Sequence, residues 1–161
     1  MAKLGRRLFV SVVSVSMIAI CASLCSAQQT AGNASTLNEV SGSYTFLREG
    51  EYVQITVENG ALSGYISRFG DTDSDKDQFI SQFFDKATLD GERLTFSTKT
   101  VHGTSYDFSG TIAVASGKKP GEEGYRVIRG KLVQHARDAN DKEKTTQRQV
   151  EFKSFPEEVN R

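Results

Sequence analysis

From Tyr44 onward, apolar and polar residues alternate along the chain with a period of two, and turn-forming residues separate the alternating segments. A period of two places successive side chains on opposite faces of a β-strand. Strands are predicted at 43–48, 51–58, 61–69, 92–101, 104–115, 124–134 and 146–155. Between them, Glu58-Asn59-Gly60 and Asp90-Gly91 supply the positive φ that tight hairpins require. The pattern therefore predicts an antiparallel meander in which consecutive strands pair.

The segment 75–85 breaks this alternation. Its large apolar residues recur at i, i+1, i+4 and i+5, namely Phe79, Ile80, Phe83 and Phe84. That spacing places all four side chains on one side of a short helix. We expect the helix to plug an open end of a barrel or to cover one face of the sheet.

A glycine flanked by apolar residues two positions away recurs at Gly64, Gly110 and Gly130. Glycine on the apolar face of a strand allows a sharp bend, as in small closed barrels. It also serves where a tight core leaves no room for a side chain. The sequence leaves both explanations open.

These elements predict an all-β fold, an up-and-down antiparallel meander of about eight strands with one short helix. In architecture it is similar to the small lipocalin-like and avidin-like barrels. The alternative is a two-sheet β-sandwich. The residues carry no motif of either barrel family, and no specific family is recognised in them, so the likeness implies no function.

The N-terminus has the organisation of an export signal. Basic Lys3, Arg6 and Arg7 precede an apolar run over residues 8–24, and the small residues Cys25-Ser26-Ala27 follow. We therefore expect cleavage after Ala27 and an exported protein, periplasmic or extracellular. An uncleaved anchor, a lipidated cysteine and a twin-arginine export signal are the alternatives.

The expected organisation is a signal peptide (1–27), a flexible leader (28–40), a single β domain (41–156) and a C-terminal tail (157–161). The mature chain then holds 17 basic and 20 acidic residues, a net charge of −3, and no cysteine, because Cys21 and Cys25 both fall in the signal. Nucleic acid is an unfavourable partner for such a chain. Thiol chemistry and cysteine-bound zinc are excluded if the signal is cleaved, and no stable membrane insertion is expected after cleavage.

The acidic segment Asp71-Thr72-Asp73-Ser74-Asp75-Lys76-Asp77 has carboxylates at alternate positions. Asp71, Asp73, Asp75 and Asp77 could converge on calcium, as at the start of an EF-hand loop. Lys76 and Gln82, however, stand where that loop requires glycine and a bidentate glutamate. We therefore favour a solvated acidic loop, predict no metal site and leave cation binding by the four aspartates open.

Catalytic residues are not predicted. His102 falls in a hairpin tip and His135 at a strand end, with no nucleophile motif to accompany either. Neither phosphate-binding loops nor dinucleotide-binding spacing occur in the sequence, so no cofactor is expected.

Tyr52, Tyr65 and Phe69 occupy the more polar faces of their predicted strands. A shared exposed aromatic surface would indicate contact with a ligand or partner. The favoured interpretation is that a helix or second sheet covers them, which would make Tyr65 and Phe69 part of the core.

Three functions remain open. The first is an exported, non-catalytic binding protein that holds a small or apolar ligand in a β-barrel. The second is an extracytoplasmic hydrolase that uses carboxylates. The third is a surface or interaction protein that uses sheet edges or exposed aromatic side chains.

The export signal generates a direct test. Mass spectrometry of the protein recovered from an exporting host should show a chain that begins at Gln28, because the peptidase reads small residues at positions 25 and 27. Ala27→Arg should block processing, whereas Ala31→Arg, four residues beyond the expected cleavage site, should not. A mature chain that retains residues 1–27 would support the anchor instead.

Overall fold

The computed structural model describes residues 40–71, 75–138, 140 and 142–156. The predicted signal peptide, all but the last residue of the leader and the C-terminal tail lie outside these residues. Within the described ranges, no helix has the length and apolar character needed to cross a bilayer.

Eight antiparallel strands follow one another in a single sheet whose spatial order is the order of the chain. They are β1 (Gly42–Thr45), β2 (Tyr52–Glu58), β3 (Ala61–Phe69), β4 (Phe79–Asp90), β5 (Arg93–Thr98), β6 (Thr104–Val114), β7 (Arg126–Arg137) and β8 (Glu143–Lys153). The sheet curls into a half-barrel with the predicted up-and-down connectivity. The all-β meander is confirmed, and the eight strands form one continuous sheet rather than the two sheets of a sandwich.

The predicted helix at 75–85 is wrong, because the four apolar residues lie in strand β4. Ile80 and Phe84 point to the inner face of the sheet, whereas Phe79 and Phe83 point outward and are 58% and 57% exposed. Pairing with β3 and β5 satisfies the β4 backbone on both sides. Tertiary pairing thus overrides a local spacing that also fits a helix. A bulge between Phe84 and Lys86 shifts the register and brings Ala87 to the inner face.

The seven predicted strands are all present, and β3 has the predicted bounds. The largest changes are three residues each: β1 and β5 end earlier, at Thr45 and Thr98, β7 extends to Arg137, and β8 begins at Glu143. His135 therefore lies within a strand. The predicted turns are confirmed by positive φ at Asn59 (52°) and Gly91 (58°).

The curled sheet closes on itself at one end. Tyr44 of β1 bridges to Ser154, just beyond β8, and the Phe155 amide donates to the Ser43 carbonyl over 2.9 Å. Because β1 has only four residues, it meets only the C-terminal end of β8. The two ends of the described domain therefore lie side by side.

Aromatic rings fill the inner face. The Phe84, Phe96 and Phe108 rings stack with centroids 4.4 and 5.1 Å apart, and Phe152 lies 5.6 Å beyond Phe108. Buried aliphatic residues surround them: Val53, Ile55, Ile66, Leu94, Ile112, Ile128 and Leu132. At about 2 to 3 kcal/mol for each large side chain removed from water, this core is the main source of stability.

The three recurrent glycines provide space for these rings. A Cβ at Gly64 would come within 2.6 Å of the Phe84 ring, and one at Gly130 within 2.9 Å of the Phe108 ring. Gly110 lies opposite Gly130 on the neighbouring strand and beneath the same Phe108 ring. The core therefore leaves no room for a side chain at these three positions, which supports the explanation based on tight packing.

Tyr44 makes the stability of the fold change with pH in the alkaline range. It is 1% exposed and donates a hydrogen bond of 2.7 Å to the Val40 carbonyl. Burial raises the pKa of Tyr44 to about 12. Since the unfolded chain loses this proton first, near pH 10, stability that is present below pH 10 is lost as pH rises toward 12.

We expect Tyr44→Phe to make the decrease in the free energy of unfolding at alkaline pH smaller by roughly 2 to 3 kcal/mol. A pKa difference of two units between the folded and unfolded chain corresponds to that free energy. Urea unfolding between pH 8 and pH 12 measures it. The same substitution at the half-buried Tyr125 is the control. Parallel pH dependences of wild type and Tyr44→Phe would contradict the assignment.

Candidate functional site

The outer face of β2, β3 and β4 carries five aromatic side chains, which we call the aromatic face: Tyr52, Tyr65, Phe69, Phe79 and Phe83. All five are half-buried or exposed. The favoured prediction that Tyr65 and Phe69 belong to the core is wrong, because the helix expected to cover them does not exist. The alternative, a shared aromatic surface, describes their arrangement.

Cross-strand pairing brings the rings together in two ridges. Tyr65 lies opposite Phe83 with ring centroids 5.5 Å apart, and Phe69 lies opposite Phe79 with centroids 4.4 Å apart. Tyr52 lies opposite Ser67, in the row between the two ridges, and its ring is 5.9 Å from that of Tyr65. Aromatic pairs at these separations stabilise a sheet surface and hold its side chains in place.

Small polar residues separate the two ridges on β3 and β4. Ser67 and Ser81 lie opposite each other on β3 and β4, midway between the ridges along the strands. Tyr65 and Phe69 are four residues apart, which in a strand is about 13 Å. Ser67 is only 5% exposed although it points outward, and its cross-strand neighbours are Tyr52 and Ser81.

Charged side chains lie at the borders of the aromatic face: Arg48 beside the Phe69 ring, and Glu58 at the end of β2. Ten outward positions of β2–β4 are neutral: Tyr52, Gln54, Thr56, Ser63, Tyr65, Ser67, Phe69, Phe79, Ser81 and Phe83. The outer face of β6–β8, by contrast, carries Asp107, Arg129, Lys131, Glu151 and Lys153. The two halves of the outer face thus present different chemistry to solvent.

Two tyrosine hydroxyls meet on the aromatic face. The Tyr52 and Tyr65 oxygens are 3.4 Å apart, a long hydrogen bond. This bond and, to a smaller extent, burial raise the pKa of Tyr65. Tyr65 therefore keeps its proton at physiological pH and is available as a neutral donor and acceptor.

Arg48 supports the second ridge from the β1–β2 loop. Its guanidinium lies 5.7 Å from the centroid of the Phe69 ring and donates to the Phe69 carbonyl over 3.0 Å. Glu51, 3% exposed, accepts from Arg48 Nε (2.8 Å) and from the Phe69 amide (3.0 Å). These contacts fix the backbone at Phe69 and hence the position of its ring.

A second cluster lies inside the same end of the barrel, centred on Arg68 and Gln82. Arg68 is 2% exposed and donates to Gln82 Oε1 (3.1 Å) and to Asp71 Oδ2 (2.9 Å). Its guanidinium also lies 5.9 Å from the Tyr106 ring. Burial raises the pKa of Tyr106, and the positive charge of Arg68 opposes that rise.

Gln82 connects four strands and is fully buried. Its Nε2 lies within hydrogen-bond distance of Thr98 Oγ1 (3.0 Å), the Lys99 carbonyl (2.8 Å) and the Thr104 carbonyl (2.7 Å). Among the described residues, every buried side-chain polar atom has a partner. The cluster is therefore a satisfied structural network.

The acidic segment does not converge on one point in the part that the structure describes. Asp71 accepts from Arg48 and Arg68, and Asp75, 3% exposed, pairs with His102 over 2.6 Å. Asp73 lies outside the described residues, and Asp77 is exposed. No group of three or more potential metal ligands occurs among the described histidines, aspartates and glutamates.

The two histidines bind different carboxylates. His102 pairs with Asp75, and His135 Nε2 lies 2.9 Å from Asp107 on the outer face. His135 Nδ1 also approaches Glu143 at 3.4 Å. Each histidine therefore joins neighbouring elements of the fold. His102 connects the β5–β6 loop to the β3–β4 loop, and His135 connects β7 to β6.

Two shallow clefts lie away from the aromatic face. One of about 260 Å³ follows the seam between β1 and β8 and is lined in part by Tyr44, Tyr125 and Phe155. Another of about 330 Å³ lies over β7 and β8, between charged side chains such as Arg129 and Glu151. Neither includes a residue of the aromatic face.

Sequence reasoning found three of the five aromatic residues and missed Phe79 and Phe83, which it assigned to a helix. The signal that could have found them is the turn at Asp90-Gly91, since a hairpin needs a strand on each side. A strand before Asp90 would have placed Phe79 and Phe83 on one face.

Comparison with known families, curated proteins and solved structures found no match to this chain. Up-and-down β architectures serve many unrelated functions. Evidence for function therefore comes from the residues of the aromatic face and the network beneath it.

The inner network predicts a large effect of one substitution. Gln82→Ala should lower the free energy of unfolding by about 3 kcal/mol or more, because it leaves Arg68 Nε and several buried acceptors without a partner. Urea unfolding at pH 7 measures this change. Gln147→Ala, at an exposed position of β8, should change it by less than about 0.5 kcal/mol. Similar effects of the two variants would show that the network contributes little.

Proposed function

We propose that the mature chain is an exported, non-catalytic binding protein that holds an uncharged ligand on the aromatic face. The observation that carries this proposal is a run of ten neutral outward positions on three adjacent strands, five of which are aromatic. Exposed aromatic groups that lie together are typical of contact surfaces.

The exposure of Phe79 and Phe83 supports the proposal. Each ring is more than half exposed, so water contacts apolar surface that a ligand could cover. Their cross-strand partners Phe69 and Tyr65 limit ring motion. A ligand that binds there loses little free energy to the ordering of side chains.

A ligand inside the barrel, the first expectation from the sequence, has less support. The inner face of the strands that carry the aromatic face is occupied by Val53, Ile55 and Ile66, and the Phe84 ring stacks on Phe96. A ligand on the outer face requires none of these side chains to move.

The hydrolase alternative also has less support. It requires carboxylates and a histidine directed at one substrate position. Asp75 and Asp107, however, each pair with a different histidine. The contacts of both pairs connect parts of the sheet to one another.

Nile red, a neutral and flat dye whose fluorescence rises in apolar surroundings, tests the location of binding. Wild type should bind the dye, and Phe79→Ser or Phe83→Ser should each weaken binding roughly fivefold to tenfold, as expected for loss of about 1 kcal/mol of apolar contact. Both variants should keep the wild-type circular dichroism spectrum, since the two rings are largely exposed. Fluorescence titration gives the affinities.

Phe155→Ser is the matched control, because it removes an exposed phenylalanine from the β1–β8 seam. It should leave dye binding unchanged. Dye binding that survives in Phe79→Ser and Phe83→Ser would place the ligand in the interior or the seam and would contradict the proposal.

A further inference from the structure

We propose that Tyr52 and Tyr65 form a modification site, at which a one-electron oxidant joins their two rings through a carbon–carbon bond as dityrosine. The inference goes beyond ligand binding and does not depend on it. Its support comes from the arrangement of the two rings, from their access to solvent and from the composition of the mature chain.

Neighbouring strands hold the two rings together. Tyr52 lies opposite Ser67 and Tyr65 opposite Gln54, so the two tyrosines are diagonal neighbours across β2 and β3. Their ring centroids are 5.9 Å apart with the planes at 69°, and their hydroxyl oxygens are 3.4 Å apart. Dityrosine forms at the ring carbons next to those that bear the hydroxyls, so the reacting carbons lie at the ends of the rings that already meet. Coupling within one chain thereby avoids the entropic cost of bringing two separate rings together.

Both rings are accessible to solvent. Tyr52 and Tyr65 are each partly exposed on the outer face. Tyr44 and Tyr106, by contrast, are 1% and 2% exposed in the core. A dissolved oxidant therefore reaches the outer pair more easily than the two inner tyrosines.

The pair has no equivalent among the other tyrosines. All five tyrosines of the chain lie in the described ranges, and Tyr52 and Tyr65 are the two whose rings contact each other. Tyr106 packs edge-on against a phenylalanine, and the ring of Tyr125 lies 5.4 Å from the Arg126 guanidinium. A radical at Tyr106 or Tyr125 therefore has no contacting tyrosine ring with which to couple.

The mature chain offers few competing sites of oxidation. Cys21, Cys25, Met1 and Met17 all precede the expected cleavage site, and the chain has no tryptophan. Oxidants usually consume cysteine and methionine first. Because residues 28–161 contain neither, the phenol of tyrosine is the most easily oxidised side chain in that part of the chain.

The proposed reaction balances without a leaving group. Each phenol gives one electron to the oxidant and one proton to water, which leaves two phenoxyl radicals. The radicals combine through one new bond between the carbons beside the hydroxyls. The hydrogen on each of these carbons then leaves as a proton and a proton returns to each oxygen, so both phenols are restored and the product holds two fewer hydrogen atoms. A peroxidase intermediate or a ruthenium(III) complex is an oxidant of this class.

Flash oxidation of the mature chain tests the inference, with tris(bipyridine)ruthenium(II), persulfate and visible light as the source of ruthenium(III). We expect the fluorescence of dityrosine and a monomer whose mass is lower by two hydrogen atoms. Proteolysis after glutamate cuts the chain between the two tyrosines at Glu58, and the fragments that contain Tyr52 and Tyr65 should remain joined. The yield per chain should not change on dilution, because the reacting rings belong to one molecule.

Tyr52→Phe and Tyr65→Phe should each abolish this cross-link. Phenylalanine keeps the ring and removes only the hydroxyl, so both variants should retain the wild-type circular dichroism spectrum. Tyr125→Phe is the matched control, since it removes a half-buried tyrosine that lies beside an arginine rather than another tyrosine. It should leave the yield unchanged.

The other outcomes overturn the inference. Intramolecular dityrosine that survives in Tyr52→Phe, or that maps to Tyr125, places the reactive pair elsewhere. Cross-links that occur only in dimers and disappear on dilution show that the two rings do not couple within one chain. N-acetyltyrosine oxidised in a parallel sample confirms that the oxidant is active, so the absence of any protein cross-link would also overturn the site. None of these measurements involves a ligand, so they leave the proposed binding function unaffected.

Discussion

The amide of Gln82 holds the curled sheet together at its polar end. Its oxygen accepts from Arg68 of β3, and its nitrogen reaches acceptors on β5, the β5–β6 loop and β6. A buried guanidinium is stable only when it is fully hydrogen-bonded, so the position of Arg68 depends on this amide and on Asp71. The inner face can carry these polar groups because the stacked rings below them supply the apolar core.

The same strand also determines the outer surface. Since Ile80, Gln82 and Phe84 must point inward, Phe79 and Phe83 must point outward, and pairing with β3 brings them against Phe69 and Tyr65. The inner network and the aromatic face are therefore two consequences of one register. A shift of β4 by a single residue would destroy both.

Most of the meander could be predicted because its strands alternate and its turns contain Asn59-Gly60 and Asp90-Gly91. β4 could not, because it carries phenylalanines on both faces and a buried glutamine, so neither face shows the expected contrast. Its residues repeat at a spacing that also fits a helix, and only pairing with β3 and β5 decides between the two. Tyr52, Tyr65 and Phe69 were identifiable from strand polarity, but their role depended on what covered them, which is a property of the tertiary structure.

The bridge between Tyr44 and Ser154 has a consequence for engineering. Because the two ends of the domain meet there, a short linker could join them, and the chain could be reopened in the solvent-exposed connection from β6 to β7. The spatial order of the strands in the sheet would be unchanged in such a circular permutant. New termini at that loop would leave the strands that carry the neutral aromatic rings uninterrupted, so a fusion partner could be attached without cutting through them.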